Sequence, residues 1–371
     1  MRPVRRARRL AGFRYPRRVS TMRALRKTRR APGAELEEVP VPDPGPGEVL
    51  VRVHAASVCG TDLHLYEWNA WAEERIGRIP MTFGHEVAGT VEAVGSEVHH
   101  LAPGAFVAAE THLACGFCRT CRAGRAHICE RLRILGVDTD GAFAGHVVIP
   151  AANAWVVGEG IPADVAPVME PFGNAVHTVF GTERGDDVAA AAVAVLGCGP
   201  IGLFAVGIVR ALGARTVIAV EPNDYRADLA KRMGADLVVD PMREDPVAAA
   251  LEATGGHGVE VVLEMSGDPR AIDQGTRMLA RGGRMSLLGL PGGPVPLDLT
   301  DQVIFKEARL QGITGREMFR TWQQTQTLLG SGLVDVSPVL THRFPLERFA
   351  EAFAVAASGR AGKVILFPHG G

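Results

Sequence analysis

Residues 188–209 read VAAAAVAVLGCGPIGLFAVGIV and contain no charged side chain. On length and apolarity alone such a run resembles a membrane span. Gly197, Gly199, Pro200 and Gly202 interrupt its centre, where a plain span has no use for them and a strand turning sharply into a helix does. We therefore divide the run into a strand that ends near Leu196 and a helix that reaches about Leu212 and stops at Gly213, with TVIAVE as the next strand. Glu221 stands nineteen residues beyond Gly202. In this context glycines let the backbone approach a pyrophosphate at the helix N-terminus, while the acid bonds the adenosine ribose hydroxyls. A carboxylate at Glu221 repels a 2′-phosphate, so the expected cofactor is NAD rather than NADP. Arg226, five residues on, tempers that expectation, and we expect it to pack along the adenine.

Strands are expected at 235–240, 259–265 and 283–290 with helical segments between them. Strand alternating with helix gives a parallel doubly wound sheet. After about Thr314 the chain leaves this sheet through a helix, EMFRTWQQTQTLLGSGL, and its tail reads as strand, helix and strand returning to an earlier domain. That earlier domain is β-rich. From Met22 short apolar runs alternate with Pro and Gly, and a strand at 49–56 delivers the chain to Cys59. More short strands after Glu86 suggest a small, partly closed β-barrel.

Six cysteines are present, and four of them, Cys115, Cys118, Cys121 and Cys129, fall within CGFCRTCRAGRAHIC. Four thiolates in one loop make a closed tetrahedral zinc site that contributes folding free energy and leaves no position for substrate. An iron-sulfur cluster is the rival ligand for such a quartet. His127, inside the loop, reads as a solvent-facing bystander.

Residues 59–86, CGTDLHLYEWNAWAEERIGRIPMTFGHE, hold a second ligand set. Cys59, His85 and Glu86 supply the three protein ligands of a catalytic zinc, with one position left open. Thr61 and His64 offer a hydroxyl and an imidazole for proton movement. Adjacent side chains on a regular strand point to opposite faces, so His85 and Glu86 can share a metal only if the backbone bends, which Gly84 permits. The quartet leaves only Cys198, inside the glycine fingerprint, so a second zinc cannot take two cysteines. Its shell needs a carboxylate, for which Glu86 and Glu170 (in MEPFGNAVHT) are candidates, or else a water replaces Glu86. Glu170 also reads as a helix-entry residue ahead of Pro171.

Composition narrows the remaining choices. The formal charge of -1 conceals an arginine-rich leader, residues 1–21, with eight Arg and no acid. Beyond it 32 basic residues face 41 acidic ones, a net of -9, which excludes a broad nucleic-acid-binding face. The leader resembles a transit peptide, an arm for an anionic partner, or sequence upstream of a start at Met22, and we favour the last. Crowded cysteines suit metal binding in a reducing compartment, so the expected location is cytoplasmic, with no membrane segment.

Taken together, CGTDLHLYEWNAW, GHE, the cysteine quartet, EPFGNAVHT, GREMF and SGRAGKVILF resemble the zinc-dependent medium-chain alcohol dehydrogenases, and within them the bacterial threonine-oxidising members. Polyol dehydrogenases of that family usually carry Ser where Thr61 stands. The resemblance covers Met22 to Phe367. It implies a GroES-like catalytic domain (22–172 and 315–371) and a Rossmann NAD-binding domain (173–314). It implies a catalytic zinc on Cys59, His85 and Glu86, a structural zinc on the quartet, and a proton relay through Thr61 and His64. Glu170 would tune the site without being a permanent ligand. Gly197, Gly199, Ile201, Gly202, Glu221, Arg226, the Leu288-Gly289-Leu290 turn, Ile313 and Thr314 would contact NAD. The implied activity is oxidation of the C3 hydroxyl of L-threonine to 2-amino-3-oxobutanoate, in threonine catabolism, by a homotetramer. A polyol or 2,3-butanediol dehydrogenase is the alternative within the family, and a catalytically silent NAD-binding protein the alternative outside it. Trp68, Trp71 and His112 lie in segments suited to the substrate pocket.

Overall fold

The computed structural model describes residues 20–181 and 187–370. Residues 1–19 of the leader lie outside the described residues. Thr21, which we placed in the leader, instead opens the first strand, Thr21–Lys27, because its backbone pairs with Pro40 of the antiparallel strand Glu35–Pro40.

The N-terminal part is organised by Glu48–Ser57, a strand paired antiparallel with Glu86–Val94 and His146–Pro150. Most of its residues are buried on both faces, which explains why EVLVRVHAAS lacks a clean polar alternation. Near the end of this strand a third neighbour arrives from the C-terminus: Lys363–Phe367 runs antiparallel to it, with Ile365 opposite Ser57, and Ser57 is in turn opposite Glu86. This register brings Ser57, Glu86 and Lys363 together from three distant parts of the chain. Behind the sheet, Phe83, Phe143 and Phe353 pack edge to face in a buried cluster, a favoured geometry for aromatic pairs.

The second sheet has six parallel strands. In chain order they are Ala192–Leu196, Thr216–Val220, Leu237–Val239, Val259–Glu264, Leu279–Leu287 and Arg309–Gly312, and across the sheet they lie in the order 3-2-1-4-5-6. That order reverses beside the first strand, creating the crevice in which doubly wound sheets hold nucleotides. The apolar run of residues 188–209 is resolved into the first strand and the helix Pro200–Ala211. Among the described residues no helix is long and apolar enough to cross a membrane. The fifth strand ends at Leu287, so Leu288, Gly289 and Leu290 form the turn beyond it. Helix Arg320–Gly330 packs on helix Met169–Phe180, and both contribute to a hydrophobic core shared with the parallel sheet.

Candidate metal centre and nucleotide cleft

Cys59 is the N-cap of helix Gly60–Glu67, and its backbone N–H donates to Asp62 Oδ2 at 2.9 Å. This cap ends the strand Glu48–Ser57 and turns the thiol back toward the sheet. Gly84 has φ +95°, and a Cβ there would lie 2.5 Å from the Phe143 ring. The bend expected before the His-Glu pair is therefore present, leaving His85 just outside the strand and Glu86 at its first position. One ligand atom from each of Cys59, His85 and Glu86 lies within 4.8 Å of the others. His85 Nδ1 and Asp62 Oδ1 are 3.6 Å apart, and both are buried without a hydrogen-bond partner. Burial alone would lower the His85 pKa, but the Asp62 carboxylate and the Cys59 sulfur outweigh it and hold it well above the usual value. The surroundings favour positive charge at this point. A thiolate, imidazole and carboxylate donor set fits zinc, with Asp62 placed to fix the ring that offers its other nitrogen to a metal.

Glu86 has two further partners. Both of its oxygens accept from Lys363 Nζ, Oε1 at 2.5 Å, and Oε2 also accepts from the Ser57 hydroxyl. Burial pulls Lys363 down, yet Glu86 opposite it holds the ammonium above its usual pKa.

Glu170 sits in the first turn of helix Met169–Phe180 and is outside the ligand group. Its Oε1 accepts from Arg316 Nη1 at 2.6 Å and from Thr111 Oγ1 at 2.9 Å. Arg316 is 1 % exposed and also binds Glu110 through two nitrogens, Thr111 and Asn174. Glu110 further accepts from Trp322 Nε1 at 2.7 Å and from the His112 backbone at 2.8 Å. Burial would raise Glu110, and Arg316 more than reverses this, leaving it below the usual carboxylate range. Burial, reinforced by Arg316, pulls His112 down to about 4, so its ring is neutral.

Thr61 and His64 share a face of the first helix at i, i+3 spacing. Thr61 is half-buried, with Oγ1 4.0 Å from Cys59 Sγ, and His64 is exposed. His64 Nδ1 is 2.8 Å from Asn69 Nδ2. Since an amide nitrogen only donates, the neutral ring carries its proton on Nε2. Of the two tryptophans, Trp68 is the left-handed C-cap of this helix, covered by Lys27 and Arg30 and bonded to Glu73, which makes it structural. Trp71 is 39 % exposed and 5.9 Å from the His64 ring.

The sulfurs of Cys115, Cys118, Cys121 and Cys129 also lie within 4.8 Å of one another. Backbone N–H groups of Cys115 and Arg131 donate to Cys129 Sγ, each at 3.3 Å. The Thr120 hydroxyl and neighbouring backbone N–H groups pull Cys118 down to about 5. Such donors favour thiolate at Cys118, whereas burial, reinforced by the Cys118 sulfur, pushes Cys121 up to about 12, so a thiolate there requires the metal itself. His127 is not the solvent-facing residue we expected. The short turn Ala126–Ile128 directs its ring inward, where it is 8 % exposed and meets His177 edge to face at 5.4 Å.

At the reversal point of the parallel sheet lies a cavity of about 450 Å³, lined by Gly197, Gly199, Glu221 and Arg226 among others, a size suited to a cofactor. Gly202 allows helix Pro200–Ala211 to meet the preceding strand, since a Cβ there would fall 2.0 Å from Gly197 O. Glu221 Oε2 accepts from Cys198 N at 2.7 Å and Oε1 from Asn223 N at 3.0 Å. Ile201, Gly202, Leu288, Gly289, Leu290, Ile313 and Thr314 are outside the lining of this cavity. The Leu288 and Gly289 N–H groups are instead tied to Glu264 O, at 2.9 and 3.2 Å, and Ile313 N to Leu287 O at 2.8 Å.

Comparison with known proteins matches the alcohol dehydrogenase GroES-like domain over residues 45–159 and the zinc-binding dehydrogenase domain over 200–331. The L-threonine 3-dehydrogenase of Bacillus subtilis is 49% identical over 347 residues, covering 94% of this chain and 99% of that protein. The L-threonine 3-dehydrogenase of Caldanaerobacter subterraneus subsp. tengcongensis is 48% identical over 348 residues, with the same coverage. The chain belongs to the zinc-dependent medium-chain alcohol dehydrogenase family. Among solved medium-chain structures, a zinc-binding dehydrogenase from Sinorhizobium meliloti bound to NADP superposes with a TM-score of 0.86 at 31% identity, covering 94% of this chain and all of that one. As a medium-chain dehydrogenase the chain is an oxidoreductase acting on CH–OH groups, using zinc and a nicotinamide cofactor.

Four residues of this medium-chain dehydrogenase site escaped the sequence reading: Ser57, Glu110, Arg316 and Lys363. Lys363 and Arg316 stood inside motifs that carried the resemblance, SGRAGKVILF and GREMF, but a buried cation is recognised by its partners, which here lie 277 and 206 residues away in sequence.

Proposed function

We propose that the chain oxidises the C3 hydroxyl of L-threonine to 2-amino-3-oxobutanoate, with NAD as hydride acceptor. The observation that carries this reading is the gathering of Cys59, His85 and Glu86 ligand atoms within 4.8 Å in a chain nearly half identical to proteins named for that reaction. Zinc held there supplies Lewis acidity that lowers the pKa of a substrate hydroxyl, and NAD supplies the hydride acceptor. Thr61 is the first proton acceptor and His64 hands the proton to solvent, a role its exposure supports. Glu170 acts through its bonds to Arg316 and Thr111 rather than as a standing ligand. Glu221, at the cofactor cavity, selects NAD over NADP by repelling a 2′-phosphate, with Gly197, Gly199 and Arg226 beside it. The quartet holds the structural zinc. The catalytic domain comprises residues 21–172 with the C-terminal strands Leu340–Pro345 and Lys363–Phe367, and the NAD-binding domain comprises 173–314 with helix Arg320–Gly330, which shares its core. The resemblance further suggests a cytoplasmic homotetramer, which sedimentation of the purified protein would test.

The direct test is NAD reduction with L-threonine beside L-serine, sorbitol and 2,3-butanediol. The reading expects kcat/KM for L-threonine to exceed the others by at least about tenfold, close to 1.4 kcal/mol of transition-state discrimination. Preference for a diol would move the substrate within the family, and no reduction with any of them would return the silent NAD-binding alternative.

A further inference from the structure

The three residues gathered at the metal centre are not equally committed to a metal. Cys59 Sγ lies beside the His85 ring and 4.0 Å from the Thr61 hydroxyl, and His85 has the Asp62 carboxylate behind its ring. Of the three, Glu86 is the ligand hydrogen-bonded to a cation, through both of its oxygens. Lys363 has three N–H donors, one directed to each Glu86 oxygen and one to Val58 O at 3.1 Å. The ammonium is thereby fixed in place, 2 % exposed, against a carboxylate that is fully buried. Its position is built into the sheet, through the pairing of Ile365 with Ser57 and of Ser57 with Glu86.

An outer partner that accepts a hydrogen bond from a metal ligand makes that ligand more basic and the metal tighter. Lys363 does the reverse. It donates and carries positive charge, so it reduces the negative charge that Glu86 can offer a metal. Ser57, also donating, acts in the same direction.

We propose that Lys363, assisted by Ser57, is a positioning residue that keeps Glu86 an exchangeable metal ligand, so that the position it shares opens to an incoming oxygen or nitrogen donor. The inference rests on the zinc reading above and is independent of which alcohol is oxidised. It predicts a sign that a purely structural lysine would not give. Deleting a structural lysine loosens the site and speeds metal loss. Deleting Lys363 in its proposed role leaves the metal as the main counter-charge of a buried carboxylate, so the metal is held more tightly.

The experiment uses full-length protein carrying zinc, or cobalt in its place, as wild type, Lys363→Met, Ser57→Ala and the double variant Glu86→Gln/Lys363→Met. Metal release to a chelator is followed in time, with Cys59→Ser identifying the phase that belongs to this centre. Separately, imidazole, a general donor for an open position, is titrated against the visible spectrum of the cobalt protein. We expect Lys363→Met to release this metal about tenfold more slowly and to need about tenfold more imidazole, the scale of outer-partner effects. Ser57→Ala should move both readouts the same way by less, and the double variant should lose the slowing. Release from Lys363→Met as fast as or faster than wild type would overturn the proposal. If Lys363→Met does not fold, Ser57→Ala decides, and unchanged release and imidazole affinity would overturn it. A wild-type protein with no Cys59-dependent metal would overturn the zinc reading as well, which distinguishes the two failures.

Discussion

Replacing Arg316 by Met removes the only guanidinium bonded to both Glu110 and Glu170 among the described residues, while leaving every metal ligand in place. Arg316 is 1 % exposed and its two carboxylate partners are 0 % and 5 % exposed, so water cannot replace the lost charge. Breaking a buried ion pair by deleting one partner costs about 3–5 kcal/mol. An independent bound comes from protonating one glutamate instead, which from an ordinary pKa costs about 4 kcal/mol at pH 7. The two agree, and we expect the apparent melting temperature to fall by roughly 5 °C with zinc content unchanged. The pH dependence fixes the cause. Arg316 holds Glu110 below its unfolded pKa, so the stability it contributes is present above the unfolded value and lost as pH falls through the folded one. That wild-type contribution is constant from pH 7 to pH 5, but in Arg316→Met the unpaired glutamate must be protonated, at about 4 kcal/mol at pH 7 and about 1 kcal/mol at pH 5, so the gap between wild type and variant should narrow over that range. Melting curves at the two pH values read this directly, and a shift under about 2 °C at pH 7, or a gap that widens in acid, would refute it.

His64→Ala should keep zinc bound and slow turnover by about a hundredfold, the lower range for a lost proton-transfer group; full activity from pH 6 to 9 would remove it from the relay. Glu221→Gln should lower kcat/KM for NAD relative to NADP, measured with each cofactor, and an unchanged ratio would reject the ribose assignment. His112, pulled down to about 4, is depressed relative to its unfolded value near 6.5. Its contribution is complete above that value and lost as pH falls toward 4, about 3 kcal/mol in all, so His112→Phe should flatten the acid limb of a stability–pH curve.

Where function depends on short stretches of sequence, the residues disclosed it. Gly197 and Gly202 announced the turn from strand to helix because their need is local, a backbone without Cβ at a close approach, whereas a Cβ on Gly199 would meet nothing within 4 Å. The cysteine quartet was legible for the same reason, as was the kink at Gly84. His127 misled because its burial depends on His177, fifty residues later in the fold's path. Lys363 and Arg316 were legible only as letters in motifs. Their chemistry arises from sheet register and helix packing that bring remote carboxylates to them, and no spacing rule reports that.

The most direct test of the account is zinc content measured together with threonine-dependent NAD reduction, in wild type and in Cys59→Ser. We predict two zinc ions per wild-type chain, one in Cys59→Ser, and loss of activity with the missing ion while the quartet keeps the fold intact. Two ions retained in Cys59→Ser, or undiminished activity with only one, would contradict it.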